Sequence, residues 1–210
     1  MTGPRAAATN GRAAPARARA TGWRAWVCLG ALSIVPYLPC LTNGFVFDDD
    51  GLIGDNPAVT SPSPAAVWTG PYWPDNPHTG LYRPWTSFTY WRDAHLFGLH
   101  AAGFHAVNLL LPLGTTLVLW ALLRRLFPAR STLCFAAAAL FAIHPLRSEA
   151  VAWVVGRSEL LAAFWGSLAY LLAVMHAGRR GYSPASAARG GLLAGSSAAL
   201  LPGPGSRRHR

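Results

Sequence analysis

Four apolar runs alternate with polar stretches along the chain, covering residues 25–42, 104–123, 131–145 and 160–177. A bilayer core of about 30 Å needs roughly 20 apolar residues in a helix. The third run is short for a span, so we expect it to tilt, to be sheltered by other helices or to use part of the following segment. The pattern predicts an all-α polytopic membrane protein with about four transmembrane helices.

The first apolar run begins after five arginines, Arg5, Arg12, Arg17, Arg19 and Arg24. A basic stretch before an apolar run is also typical of a signal peptide. However, residues 25–47 carry no charge and contain no clean small-x-small cleavage site, so we predict a retained transmembrane helix. Two prolines inside this run are expected to kink it, which membrane helices tolerate.

Composition supports a membrane location. The chain has 210 residues, of which 52% are hydrophobic and only 12% charged, against about 25% charged in a typical soluble domain. All 18 basic residues are arginines, in a chain with a formal charge of +10. No basic stripe or recognised motif accompanies this charge, so we do not expect nucleic acid as a partner.

The arginine clusters predict the topology. They lie at the N-terminus, at 124–130 and at 179–180, and two predicted spans separate each cluster from the next. Arginines concentrate in cytoplasmic loops. All three clusters are therefore predicted in the cytoplasm, and the acidic 43–103 loop and the 144–158 connection on the opposite side.

Composition divides the chain into three parts. Residues 1–22 are predicted to be a disordered basic N-terminus, and residues 23–177 form the membrane region. Residues 178–210 are atypical, because "GGLLAGSSAALL" looks like the start of a fifth apolar helix and then breaks into "PGPGSRRHR". We expect a truncated or frame-shifted tail here. The three cysteines match no zinc pattern or disulfide framework.

The 43–103 loop holds six of the eight acidic residues, and its many Trp and Tyr residues suggest pieces lying at the membrane surface. Asp48, Asp49 and Asp50 directly follow the first apolar run. They are either a solvated helix end or a functional group that deprotonates an acceptor or binds a divalent metal. Neighbouring aspartates repel, so one could have a raised pKa unless a cation lies nearby.

A second polar group lies between the third and fourth apolar runs, in "HPLRSEAVAWVVGRSELLA". Its charged or titratable members are His144, Arg147, Glu149, Arg157 and Glu159. Such groups beside the membrane are costly unless paired or functional, and the planar fork of arginine suits phosphate. The alternative is a helix start marked by charges and an arginine that snorkels to water.

Arg83 lies among aromatic residues in "GLYRPWTSFTYWRD". It could meet a lipid phosphate, stack on a ring, or act as an interfacial anchor. His95, His100 and His105 recur every five residues. That step rotates about 140° around an ideal helix, so the pattern does not favour a shared metal site.

Three blocks carry a family resemblance: "GFVFDDDGLIGDNPAV", "YRPWTSFTYWRDAHLFGLHAAGFHAVNLLLP" and "LFAIHPLRSEAVAWVVGRSELLA". In order and spacing they resemble the N-terminal membrane region of the transmembrane and tetratricopeptide-repeat proteins, which are protein O-mannosyltransferase-like enzymes. The resemblance covers about 43–176 and implies the N-terminal part of a C-type glycosyltransferase helix bundle. It implies transfer of a sugar, typically mannose, from a polyprenyl-phosphate donor to a Ser or Thr hydroxyl of a protein acceptor.

The resemblance also implies site residues. Asp48 and Asp49 match the paired acids of the first loop, one of them as general base, and Glu149 matches the glutamate of the second. Arg83 matches a "YRP" block and Arg157 a "GR-x-E" block, both as candidate donor-phosphate contacts.

Three further residues accompany these blocks. Glu159 completes the "GR-x-E" block, and His144 opens the block that contains Glu149. Asp50 is an extra acid, so which aspartate is the base stays open. No cofactor is firmly implied, and a divalent metal remains possible.

The expected location is a membrane crossed several times, the plasma or inner membrane in a bacterium and the endoplasmic reticulum in a eukaryote. The family continues with more membrane helices and with repeats of about 34 residues, and no such repeat occurs here. Two alternatives therefore stand beside the enzyme: a non-enzymatic scaffold or transporter part, and an inactive truncated product.

Overall fold

The computed structural model describes residues 22–180. The predicted disordered N-terminus, apart from residue 22, and the atypical tail beyond residue 180 lie outside this part of the chain. Every regular element within it is helical, which confirms the predicted all-α fold class.

The first apolar run forms helix α1, Gly22–Ile34, and continues without a break as a 3₁₀ helix, Val35–Thr42. The helix type changes next to Pro36, and Pro39 lies inside the 3₁₀ segment. Proline lacks a backbone N–H and its ring clashes with the preceding helical turn. The expected distortion therefore takes the form of a tighter helix.

Three further long helices follow the loop: α5 spans Ala101–Leu126, α6 spans Ser131–Ile143 and α8 spans Arg157–Arg179. Helix α5 lies at the centre of the bundle and packs against α1, α6 and α8. The contact between α5 and α8 is close at Gly114, where a Cβ would lie 2.8 Å from the Phe164 ring. The absence of a side chain at Gly114 therefore lets these two helices approach.

Within residues 22–180, three helical stretches are long and apolar enough to cross a membrane: Gly22–Thr42, Ala101–Leu126 and Val154–Arg179. They agree with the first, second and fourth apolar runs. Helix α6 has 13 residues, about 20 Å at 1.5 Å per residue. It is too short to span a bilayer core by its own length, as its sequence indicated.

The acidic loop folds into a small helical unit rather than remaining extended. Its elements are a π-helical turn (Asp50–Gly54), α2 (Pro57–Thr60), α3 (Ala65–Thr69), a 3₁₀ turn (Pro77–Thr79) and α4 (Pro84–Phe97). These elements share a core with the beginning of α5 and the segment before α8; its buried members include Leu52, Ile53, Tyr72, Tyr90, Phe104 and Val154. The loop is therefore packed directly onto two of the long helices.

The connection from α6 to α8 contains α7, Arg147–Ala152, and a 3₁₀ turn, Val154–Gly156. A Cβ at Gly156 would lie 2.6 Å from the backbone oxygen of Ala150. Only glycine fits this turn without moving the backbone. Next to this turn, the two predicted site segments, the acidic loop and the region from His144 to Ala162, are in contact through the hydrogen bond from Val155 to Asp49.

Candidate active site

The three aspartates have different environments. Asp48 and Asp50 are exposed, whereas Asp49 is fully buried. The preceding Phe47 has a φ of 51° and is the non-glycine residue with positive φ in the described chain. This left-handed residue directly precedes the helical turn in which Asp48 is exposed and Asp49 is buried.

Both carboxylate oxygens of Asp49 accept hydrogen bonds from backbone N–H groups. Oδ2 accepts from Val46 at 3.1 Å and Oδ1 from Val155 at 3.0 Å. Burial raises the pKa of Asp49, and the two backbone hydrogen bonds oppose that rise. Asp49 thus ties the acidic loop to the segment before α8.

Asp48 and Glu149 line one cleft of about 540 Å³, which we name the acidic cleft. Its other lining residues are Asn43, Val46, Phe47, Ala152 and Trp153. Both carboxylates are exposed, and none of the lining residues is basic. The structure therefore brings together two of the three acids expected at the catalytic centre, and places the third, Asp49, behind the cleft.

Arg157 is fully buried at the first position of α8. Its Nε donates to Asn108 Oδ1 at 2.7 Å and its Nη2 to the Phe104 carbonyl at 2.8 Å. Its Nη1 forms an ion pair with the buried carboxylate of Asp93. With a further hydrogen bond from Nη1 to Thr89 Oγ1 at 3.4 Å, the guanidinium is engaged by four protein partners, and these contacts join α8 to α4 and α5.

Arg83 is exposed at the start of α4. Its Nη1 donates to Ser158 Oγ at 2.8 Å, and its guanidinium lies 5.1 Å from the centroid of the Tyr72 ring. It lines a cleft of about 460 Å³ with Glu159 and Trp85. We name it the Arg83 cleft. The guanidinium of Arg83 is exposed to solvent there.

A larger, mainly apolar groove of about 770 Å³ runs between α4, α5 and α8. It shares Trp85, Thr86 and Ala162 with the Arg83 cleft. The two cavities therefore adjoin, with Arg83 and Glu159 at the polar end. The acidic cleft shares no lining residue with either of them.

The remaining predicted residues lie away from the acidic cleft. His144 is exposed, and its Nδ1 accepts the backbone N–H of Leu146 at 3.3 Å. Arg147 donates to the Phe141 carbonyl at 2.8 Å. Asp50 begins the π-helical turn and is exposed.

The three histidines do not form a group. His95 and His100 are exposed and His105 is buried. Within residues 22–180 no three His, Cys, Asp or Glu side chains are arranged to hold a metal ion.

Sequence reasoning missed Asp93 and Asn108, the buried partners of Arg157. They lie 64 and 49 residues before Arg157 in the chain. Neither spacing is a local pattern, so no motif would have paired them. An acid beside Arg92 within an aromatic helix was the one available signal.

Comparisons with known proteins identify relatives. The chain is 37% identical over 167 residues to a protein O-mannosyl-transferase, F38B6.6, from Caenorhabditis elegans, which covers 75% of this chain and 24% of the relative. It is 37% identical to Tmtc1 of Drosophila melanogaster over 67% of this chain and 17% of the relative. It is 34% identical to human TMTC1 over 68% of this chain and 18% of the relative.

The Drosophila relative and the human relative are also named protein O-mannosyl-transferases. No protein-family model matches the chain. No solved structure matches it significantly. The chain spans a quarter or less of the length of these curated relatives. These similarities confirm the resemblance seen in the sequence blocks, and the chain belongs to the TMTC family, whose curated relatives are named protein O-mannosyl-transferases.

Proposed function

We propose that this chain carries the acceptor-activating part of a membrane protein O-mannosyltransferase, with Asp48 as the general base. The observation that carries the proposal is the acidic cleft: Asp48 is the aspartate of the triplet that opens into it, and Glu149 lines the same cleft. Membership of a family of named O-mannosyl-transferases supplies the reaction class.

The choice of Asp48 over Asp49 rests on access. A general base must come within hydrogen-bonding reach of the proton that it removes. Asp49 is fully buried and both of its oxygens already accept backbone N–H groups. Asp48 is exposed in the cleft, so a Ser or Thr hydroxyl can reach its carboxylate.

Glu149 is suited to orienting the acceptor rather than to taking the same proton. An ionised carboxylate only accepts hydrogen bonds, so Glu149 can hold a backbone N–H or a second hydroxyl of the acceptor peptide. Trp153 donates its backbone N–H to the Glu149 carbonyl at 3.0 Å. This bond closes the turn that places both residues along the wall of the cleft.

The donor is proposed to be a polyprenyl-phosphate mannose bound along the Arg83 cleft and the adjoining apolar groove. An arginine fork favours phosphate oxygens, and an apolar groove between membrane helices suits an isoprenoid chain. Arg83 is exposed at the polar end of this path. Arg157 has its fork occupied, so we assign it to positioning rather than to phosphate contact.

Two residues that line the different clefts are close in the sequence. Trp153 lines the acidic cleft and Ser158 lines the Arg83 cleft. Five trans peptide units separate them, which limits their Cα–Cα distance to at most about 19 Å. The sugar of a donor held at Arg83 is proposed to extend across this segment toward Asp48.

The proposed reaction balances as a single displacement. Asp48 accepts the hydroxyl proton of Ser or Thr while that oxygen forms a bond to the anomeric carbon of mannose. The bond between the anomeric carbon and the phosphate oxygen breaks, and polyprenyl phosphate leaves with the electron pair. A cationic group stabilises the charge that develops on the leaving phosphate, which is the role proposed for Arg83.

The test uses the chain in membranes with polyprenyl-phosphate mannose and a Ser/Thr peptide. Mannose transfer by the unaltered chain, its loss in Asp48→Asn and its retention in the matched Asp50→Asn control would support the proposal. Absence of transfer by the unaltered chain would overturn the activity for this chain. Equal transfer by Asp48→Asn and the unaltered chain would overturn Asp48 as the base.

The donor assignment has its own measurement. Binding of polyprenyl phosphate to the purified chain should weaken in Arg83→Gln by roughly tenfold or more, since a charge-assisted hydrogen bond contributes about 1.5–3 kcal/mol. Arg130→Gln is the control, because Arg130 is exposed after α5 and away from the groove. Unchanged binding in Arg83→Gln would remove Arg83 from the donor site.

The non-enzymatic alternative, a scaffold or transporter part, gains no support from the relatives, whose names are those of transferases. It would be favoured only if the unaltered chain bound neither the donor nor the acceptor peptide.

A further inference from the structure

The guanidinium of Arg147 contacts groups deep within the helix bundle. Arg147 begins α7 and is half-buried. Its Nη1 donates to the Phe141 carbonyl of α6 at 2.8 Å and to Thr116 Oγ1 of α5 at 3.4 Å. The guanidinium also lies 4.3 Å from the centroid of the Phe141 ring. The charged end of this side chain is therefore packed between α5 and α6.

Both contacts give the same depth for this charge in the membrane. Thr116 lies ten residues before the end of α5 at Leu126, and Phe141 lies ten residues after the start of α6 at Ser131. Ten helical residues span about 15 Å, which is about half of a hydrocarbon core of about 30 Å. These two helix ends carry exposed arginines, which lie at the membrane surface. Arg147 therefore carries a charge at a depth where charged groups are costly and usually functional.

No carboxylate within residues 22–180 forms an ion pair with Arg147. The ion pairs in this part of the chain join Asp93 to Arg92 and to Arg157. All eight acidic side chains of the sequence lie within the same residues. The arginine side chain stays protonated in proteins. A counter-charge for Arg147 must therefore come from outside these 210 residues.

One edge of the Arg147 guanidinium is available for that counter-charge. Nη1 is the nitrogen bound to Phe141 and Thr116. Nε and Nη2 make no hydrogen bond within residues 22–180, and neither is enclosed by the protein. Two adjacent N–H groups of arginine bind two oxygens of a phosphate or a carboxylate side by side. The contacts of Nη1 thus fix the guanidinium and leave a two-donor edge for an oxyanion.

The surroundings of this edge favour a lipid as the source of the oxyanion. Leu140, Ile143 and Leu146 are exposed apolar side chains at the end of α6 and just beyond it. Helix α6 has 13 residues, about 20 Å, so it stops about 10 Å short of the far side of the hydrocarbon core. A helix shorter than the core thins the bilayer beside it. Headgroups of that leaflet are thereby lowered toward Arg147, and their acyl chains can cover the exposed leucines and isoleucine.

We propose that Arg147 binds the phosphate of an anionic phospholipid through Nε and Nη2, with an acyl chain lying along the exposed apolar side of α6. The lipid belongs to the leaflet on the side of the acidic cleft, which Glu149 of the same short helix lines. Arg147 lines neither the Arg83 cleft nor the adjoining apolar groove. This lipid site is therefore separate from the proposed donor path and does not rest on the proposed function.

Lipid titration of the purified chain tests the site. Phosphatidylglycerol and phosphatidylcholine are added in detergent, and bound lipid is counted by native mass spectrometry. Phosphatidylglycerol should bind the unaltered chain at least about tenfold more tightly, as expected for a charge-assisted hydrogen bond, and Arg147→Gln should remove this preference. Arg125→Gln is the matched control, because it removes the same charge from an exposed arginine in the last turn of α5. No preference in the unaltered chain, or equal loss in both variants, would overturn the proposal.

A second measurement covers the case in which Arg147→Gln does not fold. Thermal unfolding of the unaltered chain is followed with each lipid, since a ligand of the folded state raises Tm. Phosphatidylglycerol should raise Tm more than an equal amount of phosphatidylcholine. Arg147→Lys keeps the charge without the two-donor edge, so its rise should be smaller. Equal effects of the two lipids on the unaltered chain, or an undiminished rise in Arg147→Lys, would refute binding through the guanidinium edge.

Competition identifies the source of the phosphate. Inorganic phosphate should not displace phosphatidylglycerol, because it makes no acyl contact with α6, and displacement at equal concentration would overturn the lipid assignment. Polyprenyl phosphate binding should weaken in Arg83→Gln and not in Arg147→Gln. The reverse result would place Arg147 in the donor site and exclude a separate phospholipid. A chain that transfers no mannose but keeps the phosphatidylglycerol preference would lose the proposed function and retain this site.

Discussion

The Asp49 carboxylate accepts the backbone N–H of Val155, 106 residues later in the chain, at 3.0 Å. This bond joins the turn that carries Asp48 to the segment that follows Glu149. The two walls of the acidic cleft are thereby connected through a buried group that the cleft itself does not expose. The consequences for stability and pH dependence can be measured.

Replacement of Asp49 should destabilise the fold in proportion to the acceptors removed. In Asp49→Leu the Val155 N–H, which is buried, loses its partner, and we expect a loss of about 1–3 kcal/mol in the free energy of unfolding. Asp49→Asn retains one acceptor oxygen, so its free energy of unfolding should lie between those of the unaltered chain and Asp49→Leu. Thermal unfolding in detergent, followed by tryptophan fluorescence, measures both, and Asp50→Leu is the exposed control. Equal stability of Asp49→Leu and Asp50→Leu would contradict the anchoring role.

Because the pKa of Asp49 is raised in the folded chain, the contribution of this carboxyl group to stability should decrease as pH rises. Burial raises the pKa of Asp49 above the value of about 3.9 in an unfolded chain. The folded state then binds the proton more tightly, so this contribution to stability is present below the unfolded pKa and is lost as pH rises through the folded pKa. The stability of the unaltered chain relative to Asp49→Asn should therefore fall as pH increases from about 4. A difference that grows with pH would refute the assignment.

The buried pair of Arg157 and Asp93 should be coupled. Removing one partner of a buried ion pair leaves an uncompensated charge and typically costs about 3–5 kcal/mol. We expect a loss of that order in Asp93→Leu, which leaves the buried Arg157 guanidinium without a carboxylate. Arg157→Met should cost less, because the Asp93 carboxylate keeps its ion pair with Arg92 at 2.6 Å. The double variant should be less destabilised than the sum of the two, as shown by unfolding of all three in the same detergent. Additive losses would indicate that the two side chains act independently.

Gly156 should not tolerate a side chain. A Cβ there would lie 2.6 Å from the Ala150 backbone oxygen, whereas a Cβ at Gly166 meets nothing within 4 Å. Gly156→Ala should thus destabilise the chain and disturb the acidic cleft. Gly166→Ala, within α8, should be neutral or stabilising by roughly 0.5–1 kcal/mol because alanine favours helix. Comparable unfolding temperatures of the two variants would show that the turn can relax.

The long helices could be predicted from the sequence because a membrane-spanning helix depends on local composition. An uncharged run of sufficient length has to be helical in lipid, since no water is present to satisfy its backbone. The runs near residues 25, 104 and 160 accordingly become long helices. The proline-bearing end of the first run also behaves as its chemistry requires.

The separate roles of the charged residues could not be predicted from local composition in this way. Sequence placed Asp48 and Asp49 together and left either as base, and it treated Arg157 as a phosphate contact. In the folded chain Asp49 meets Val155 and Arg157 meets Asp93.

These partners are separated by 106 and 64 residues. Whether a charged side chain faces solvent or is buried depends on which distant segment packs over it, and helical or strand periodicity carries no record of that partner. The triplet was visible as an acidic motif from the first reading of the chain. Only the packing of the α7–α8 connection onto the loop decided that Asp49 supports the turn and that Asp48 opens into the cleft.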